Sequence, residues 1–229
     1  YWDNYNLQDD RLIHTPVYDA KLEEYVNKLT LPWPDSMIKE SNYLLSKARG
    51  SKETFKYTLW WLTKNAEASK IMGMDEVFVY LVENYYMKGD ATWLSAEELN
   101  KYIDRAMKIA PNVIGNLAPE MKLPDLATGK EVSLHSVKAK YTVVVFYAPT
   151  CGHCKEEMPK IDSMYRAVLK GKGVKIFTVS TEGDEAAAKD FVKRYKLEDW
   201  VTTWDPEHVG DWRSKYDVYS TPTIYLLDE

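Results

Sequence analysis

The chain has 229 residues, a length more typical of two domains than of one. Apolar residues make up 45% of the sequence, which allows a sizeable core and argues against a disordered chain. The formal net charge is −5 and no Lys/Arg-rich run occurs, so nucleic-acid binding, which needs a basic face, is disfavoured. No apolar run approaches the roughly 20 residues that a membrane-spanning helix needs.

Residues 1–112 are predicted to form a helical domain, whose role the sequence does not indicate. Apolar residues at spacings of three and four, separated by Pro and Gly, predict antiparallel helices joined by short loops. The predicted helices are Tyr18–Leu29, Asp35–Ala48, a run that Ser51 caps, Asp75–Met87 and Ser95–Ala110. The last has the clearest start, because Ser95 and Glu98 have the spacing of a capping box.

From residue 113 onward, short apolar runs alternate with helical patterns, which predicts an α/β domain with a mostly parallel sheet. A hairpin or irregular lead-in is expected at 113–134. The predicted strands are Tyr141–Ala148, Val174–Ser180, Trp200–Trp204 and Thr223–Leu227, and the predicted helices are 152–170, Asp184–Lys196 and Glu207–Tyr216. The Tyr141–Ala148 run consists mainly of β-branched and aromatic residues, which indicates a strand buried on both faces.

The only two cysteines, Cys151 and Cys154, stand in one C-G-H-C motif between the first long strand and the helix after it. Free N–H groups and the positive end of the helix dipole stabilise a thiolate at such a position. Cys151, at the helix start, is therefore interpreted as the nucleophile. Cys154, one turn further in, would resolve the mixed disulfide.

C-x-x-C pairs also occur in sites without redox chemistry. A C-x-x-C can be half of a zinc site, an inert disulfide or a pair of buried thiols, but zinc needs four ligands and no second cysteine pair exists. No metal is therefore expected. A peroxidatic Cys151 would follow the pattern Pro-x-x-x-Thr-x-x-Cys, but Val144 and Ala148 occupy the Pro and Thr positions.

The segment F-Y-A-P-T-C-G-H-C-K-E-E-M-P resembles the active site of the thioredoxin superfamily, particularly its TlpA/ResA-like bacterial envelope branch. The resemblance covers Val113–Glu229 and implies a thioredoxin-like fold. Pro159 matches the proline that kinks the first active-site helix, and Thr221 and Pro222 match the loop whose cis-proline faces the dithiol. It implies that this loop lies opposite Cys151 and offers backbone groups to a substrate chain.

Two departures from thioredoxin itself affect the site. Val145 stands where thioredoxin has a buried aspartate, and Thr150 replaces the tryptophan that precedes the first cysteine, which alters the surface that a partner meets. Glu157 falls where the ResA-like branch often carries a glutamate. This carboxylate either accepts the proton of Cys154 or is a solvated group on the first helical turn.

The residues between and after the cysteines also belong to the implied active-site surround, namely Gly152, His153 and Lys155. His153 makes the motif similar to that of protein disulfide isomerases. An imidazolium there would favour the thiolate, so the reduction potential is expected nearer the isomerase value of about −180 mV than the thioredoxin value of about −270 mV. Lys155 adds a positive charge and is expected to face solvent.

A complete thioredoxin fold continues after the cis-proline strand with an antiparallel edge strand and a terminal helix. The sequence ends at Glu229, directly after the predicted strand Thr223–Leu227. The resemblance therefore predicts a truncated thioredoxin-like domain that lacks the final strand and helix. It also predicts that Thr223–Leu227 has no antiparallel neighbour among the 229 residues.

The resemblance implies a thiol–disulfide oxidoreductase of the reductase or isomerase type, with the Cys151–Cys154 disulfide as its only redox group and no other cofactor. The implied partners are protein thiols and disulfides and an upstream thiol electron donor or acceptor. The implied location is the periplasm or cell envelope, with a possible membrane tether outside the given sequence. Two alternatives stay open: a non-catalytic envelope protein that binds a partner on a thioredoxin-like scaffold, and a thiol peroxidase.

Overall fold

The computed structural model describes residues 1–206 and 210–229. The chain divides into two compact units, Tyr1–Asn116 and Leu117–Glu229. Within the described ranges, none of the helices combines the length and the apolar character required to cross a lipid bilayer.

The first unit is helical, as predicted. Its helices are α1 (Pro16–Glu24), α2 (Pro34–Ala48), α3 (Lys52–Ala68), α4 (Met74–Leu81) and α5 (Ala96–Ile109). Single π turns extend α1 and α4, at Tyr25–Leu29 and Val82–Tyr86, and short 3-10 turns lie at Asp10–His14 and Ala110–Asn112. The predicted caps are confirmed, because the Ser51 side chain accepts from the Thr54 N–H and Ser95 and Glu98 form a capping box.

Large side chains from four of these helices fill the core of the first unit. Tyr18 of α1, Leu44 of α2, Leu59 of α3 and Phe78 of α4 are fully buried there. The Tyr18 hydroxyl shares a hydrogen bond of 2.5 Å with the Thr58 hydroxyl, so the buried polar group is satisfied.

The second unit is α/β. Its strands are β1 (Lys122–Pro124), β2 (Glu131–Ser133), β3 (Tyr141–Tyr147), β4 (Val174–Ser180), β5 (Val201–Trp204) and β6 (Thr223–Asp228). Its helices are α6 (Gly152–Met164, continued by a π turn at Tyr165–Leu169), α7 (Glu185–Tyr195) and α8 (Trp212–Lys215), with 3-10 turns at Leu134–Ser136 and Lys170–Lys172. Residues 207–209 of the predicted helix Glu207–Tyr216 lie outside the described residues.

β1 and β2 form a separate antiparallel hairpin, and the other four strands form one sheet in the order β5-β4-β3-β6. The β5-β4-β3 part is parallel, but β6 runs antiparallel to β3, with Tyr141 opposite Asp228 and Phe146 opposite Thr223. The expectation that Thr223–Leu227 lacks an antiparallel neighbour is therefore wrong. It overlooked the strand leading to Cys151, which itself supplies that neighbour.

β3 lies inside the sheet with both faces covered, as its run of β-branched and aromatic residues predicts. Val145 and Tyr147 pack with residues of α6 and α7, while Val144 and Phe146 pack on the other face with residues such as Trp212. These four side chains of β3 are fully buried. A rigid central strand thus ends four residues before Cys151.

Candidate active site

Cys151 is the N-cap residue of α6, with an extended backbone at φ −67° and ψ 124°. Its sulfur accepts a hydrogen bond of 3.4 Å from the backbone N–H of Cys154, one turn into the helix. Both cysteines are free thiols in this structure, but Cys151 is partly exposed whereas Cys154 is fully buried in the core. One sulfur is therefore accessible and the other is held behind it.

The loop before β6 lies against the same sulfur. The Cys151 thiol donates to the Thr221 carbonyl oxygen at 3.2 Å, although 70 residues separate the two. The Thr221–Pro222 peptide bond is cis, and the Thr223 hydroxyl donates to the Ser220 carbonyl at 2.6 Å within the loop. The structure thus brings together Cys151, Cys154, Thr221 and Pro222.

The two thiols have opposite pKa shifts. The Thr221 side chain, and after it the Cys154 and His153 backbone N–H groups, lower the pKa of Cys151 below that of an ordinary cysteine. Burial, and after it the hydrogen bond of its thiol with Cys151, raise the pKa of Cys154 to about 11. Cys151 is the better thiolate, and Cys154 keeps its proton near neutral pH.

The rest of the predicted surround lies on or beside the first turn of α6. Gly152, His153 and Lys155 are exposed, and the Lys155 ammonium donates to the Thr150 carbonyl at 3.3 Å. Lys155 therefore faces solvent as expected, but its charged end also holds the residue before the nucleophile.

Among the described residues, the Glu157 carboxylate forms no hydrogen bond with either cysteine. It pairs with Lys160 at 2.7 Å, three residues along α6, and the side chain is 45% exposed. The structure therefore supports the solvated interpretation of Glu157 rather than a proton-accepting one. Pro159 lies inside α6, at the position that the resemblance implies, and the helix continues through it to Met164.

Glu182 is a site residue that the sequence analysis missed. Its carboxylate accepts hydrogen bonds from the Thr150 backbone N–H at 3.3 Å and from the Thr150 hydroxyl. Its position held a usable signal, because Glu182 follows β4 closely and the carboxyl ends of parallel strands meet at one edge of the sheet. β3 ends at that same edge, just before the cysteines.

No third metal ligand joins the cysteines among the residues described. In the ranges 1–206 and 210–229, no three His, Cys, Asp or Glu side chains come together as a group that could hold a metal ion.

Each unit of the chain matches a different family model. Residues 114–229 match the AhpC/TSA family, and residues 1–112 match a domain of unknown function, DUF5106. Among curated proteins, thiol-disulfide oxidoreductase ResA of Bacillus thuringiensis is 33% identical over 116 residues, which are 51% of this chain and 64% of that protein. Sporulation thiol-disulfide oxidoreductase A of Bacillus subtilis is 28% identical over 114 residues, which are 48% of this chain and 66% of that protein.

The chain thus spans just under two thirds of the length of each of these two relatives. One solved structure is a thioredoxin-like protein from Bacteroides caccae, with a TM-score of 0.67 and 22% identity. The match covers 100% of this chain and 82% of the chain in that structure. At that identity the match supports the fold alone. The predicted thioredoxin-like fold and the resemblance to the TlpA/ResA-like branch are confirmed.

Proposed function

Because the chain belongs to the AhpC/TSA family, we propose that it is a thiol–disulfide oxidoreductase that exchanges disulfides with protein substrates through Cys151 and Cys154. One observation carries this proposal. The accessible Cys151 sulfur lies at the start of α6 and 3.2 Å from the Thr221 carbonyl, with the buried Cys154 one turn behind it. The names of the two curated relatives point to the same chemistry.

The reaction begins with attack of the Cys151 thiolate on one sulfur of a substrate disulfide. A mixed disulfide forms, and the second substrate sulfur leaves as a thiolate that takes up a proton. Cys154 then gives up its proton and attacks the Cys151 sulfur, which releases the first substrate sulfur as a thiol. The substrate gains two electrons, and the protein is left with a Cys151–Cys154 disulfide.

The cycle requires a second partner. An upstream thiol must reduce the Cys151–Cys154 disulfide again, and in the opposite direction the disulfide would oxidise substrate thiols. Within this proposal the two sulfurs carry the electrons without a further cofactor, and the reaction takes place in the periplasm or cell envelope. That location is supported by the resemblance to the TlpA/ResA-like envelope branch.

Insulin reduction with dithiothreitol tests the proposal. The wild-type protein is expected to accelerate the reaction and Cys151→Ser to abolish the acceleration. Cys154→Ser is expected to accumulate the mixed disulfide, because the resolving thiol is gone. Equal activity of wild type and Cys151→Ser would rule out the enzyme. Peroxide consumption by Cys154→Ser would instead indicate a thiol peroxidase.

A cleft in the helical unit favours the alternative of partner binding. It lies between α3 and α5 and has a volume of about 690 Å³, within the range of known ligand sites. Tyr57, Trp60 and Tyr102 line it, and the Trp60 side chain is 44% exposed. Exposed aromatic rings are frequent in binding surfaces. If Cys151→Ser leaves insulin reduction unchanged and Cys154→Ser consumes no peroxide, partner binding by this unit is the remaining candidate function.

A further inference from the structure

We propose that Glu182 is a positioning residue for Cys151, which it holds in place through Thr150. This inference rests on the proposed function in one respect, namely that Cys151 is the attacking sulfur. Glu182 lies outside the C-G-H-C motif, and 32 residues separate it from Thr150.

Thr150 is held by polar bonds on two sides. Its backbone N–H donates to Glu182 Oε2 at 3.3 Å and its hydroxyl donates to Oε1, while its carbonyl accepts from the Lys155 ammonium at 3.3 Å. Thr150 is solvent-exposed, so packing against neighbours cannot fix it. Charged hydrogen-bond partners therefore have to fix the residue directly before the nucleophile.

Glu182 is itself anchored to the end of β3. The Thr181 N–H and hydroxyl donate to the Tyr147 carbonyl at 2.8 and 3.2 Å, and the Ser180 hydroxyl donates to the Glu182 carbonyl at 3.4 Å. Ser180, Thr181 and Tyr147 are all buried. The Glu182 carboxylate thus extends from a rigid part of the sheet to the loop that carries Cys151.

That loop consists of residues 148–151, of which Ala148 and Pro149 are buried and Thr150 is exposed. Within it the Cys151 N–H donates to the Ala148 carbonyl at 3.1 Å. If Thr150 is released, the loop can rotate and move the Cys151 sulfur away from Thr221 and from the Cys154 N–H. Those two groups are the leading causes of the lowered pKa of Cys151.

The test is the pH dependence of Cys151 alkylation by iodoacetamide in the full chain. Glu182→Ala is expected to shift the midpoint to higher pH, and at a pH below the midpoint to slow alkylation by about threefold or more. Glu182→Gln is expected to keep the wild-type profile, because its amide oxygen can accept from the Thr150 N–H and its amide nitrogen can donate to the Thr150 hydroxyl oxygen. Glu185→Ala is the matched control. This nearby carboxylate pairs with Lys189 at 2.6 Å, and its loss is expected to leave the pH profile of Cys151 alkylation unchanged.

Three results would overturn the inference: a wild-type profile for Glu182→Ala, equal shifts for the Ala and Gln variants, or faster alkylation of the Ala variant. Faster alkylation would indicate an effect of charge rather than of position, because the loss of a nearby negative charge favours the thiolate. If Glu182→Ala does not fold, Thr150→Val, which loses only the hydroxyl bond, is expected to shift the profile in the same direction, and an unchanged profile overturns the inference. Alkylation needs no disulfide substrate, so failure of the insulin assay is a separate outcome.

Discussion

Replacement of Thr221 by valine removes the hydroxyl that lowers the pKa of Cys151 most, while it keeps the side-chain shape and the backbone carbonyl. A hydrogen bond to a charged group contributes roughly 1.5–3 kcal/mol. Thr221 is only partly buried, so solvent screening reduces this to about 1 kcal/mol. One pKa unit corresponds to about 1.4 kcal/mol. Since the charged thiolate loses a partner, the pKa of Cys151 is expected to rise by roughly 0.5–1 unit.

The assay is the rate of Cys151 alkylation by iodoacetamide between about pH 5 and 10, followed by peptide mass mapping. Below the pKa, the thiolate fraction falls tenfold for each unit by which the pKa rises, so Thr221→Val is expected to react about 3–10 times more slowly than wild type. Well above the pKa the two rates should agree. Thr221→Ser keeps the hydroxyl and serves as the control. Equal rates for Thr221→Val and wild type at low pH would refute this explanation of the lowered pKa.

In the reduced protein near neutral pH, Cys154 should be alkylated at least about 100-fold more slowly than Cys151, because their pKa values differ by two units or more; comparable labelling in peptide maps would contradict the assigned roles. Ser95→Ala should lower the free energy of unfolding in urea by about 1 kcal/mol through loss of the capping box, with no change counting against it. Asp205→Ala should lower the free energy of unfolding in urea by roughly 2–4 kcal/mol, because the buried carboxylate accepts from the Gly210 N–H at 3.0 Å and from Trp212 Nε1 at 2.9 Å. Asp205→Asn should lower it less, and the opposite order would contradict this reason.

Features with local causes could be predicted from the sequence. The capping box depends on Ser95 and Glu98 three residues apart, and the burial of β3 on both faces follows from its run of β-branched and aromatic residues. The helix start at Cys151 is equally local. Its contact with Thr221, 70 residues away, was predicted only because the motifs resemble a known family.

Features that depend on tertiary contacts could not be predicted in this way. The Thr150–Glu182 bonds join residues 32 positions apart, and no short motif contains both. Glu157 carries the residue type that the resemblance implies, but Lys160 binds its carboxylate locally. The antiparallel pairing of β6 with β3 depends on the position and direction of β6 in the sheet, and an alternating strand and helix pattern specifies neither.

The central claim, that Cys151 and Cys154 form a reversible redox couple, is tested most directly by titrating the protein against reduced and oxidised glutathione. The prediction is a single two-electron transition that produces an intramolecular disulfide, with a potential nearer to about −180 mV than to about −270 mV. If both cysteines remain thiols, or carry only glutathione adducts across the whole titration, the claim is contradicted.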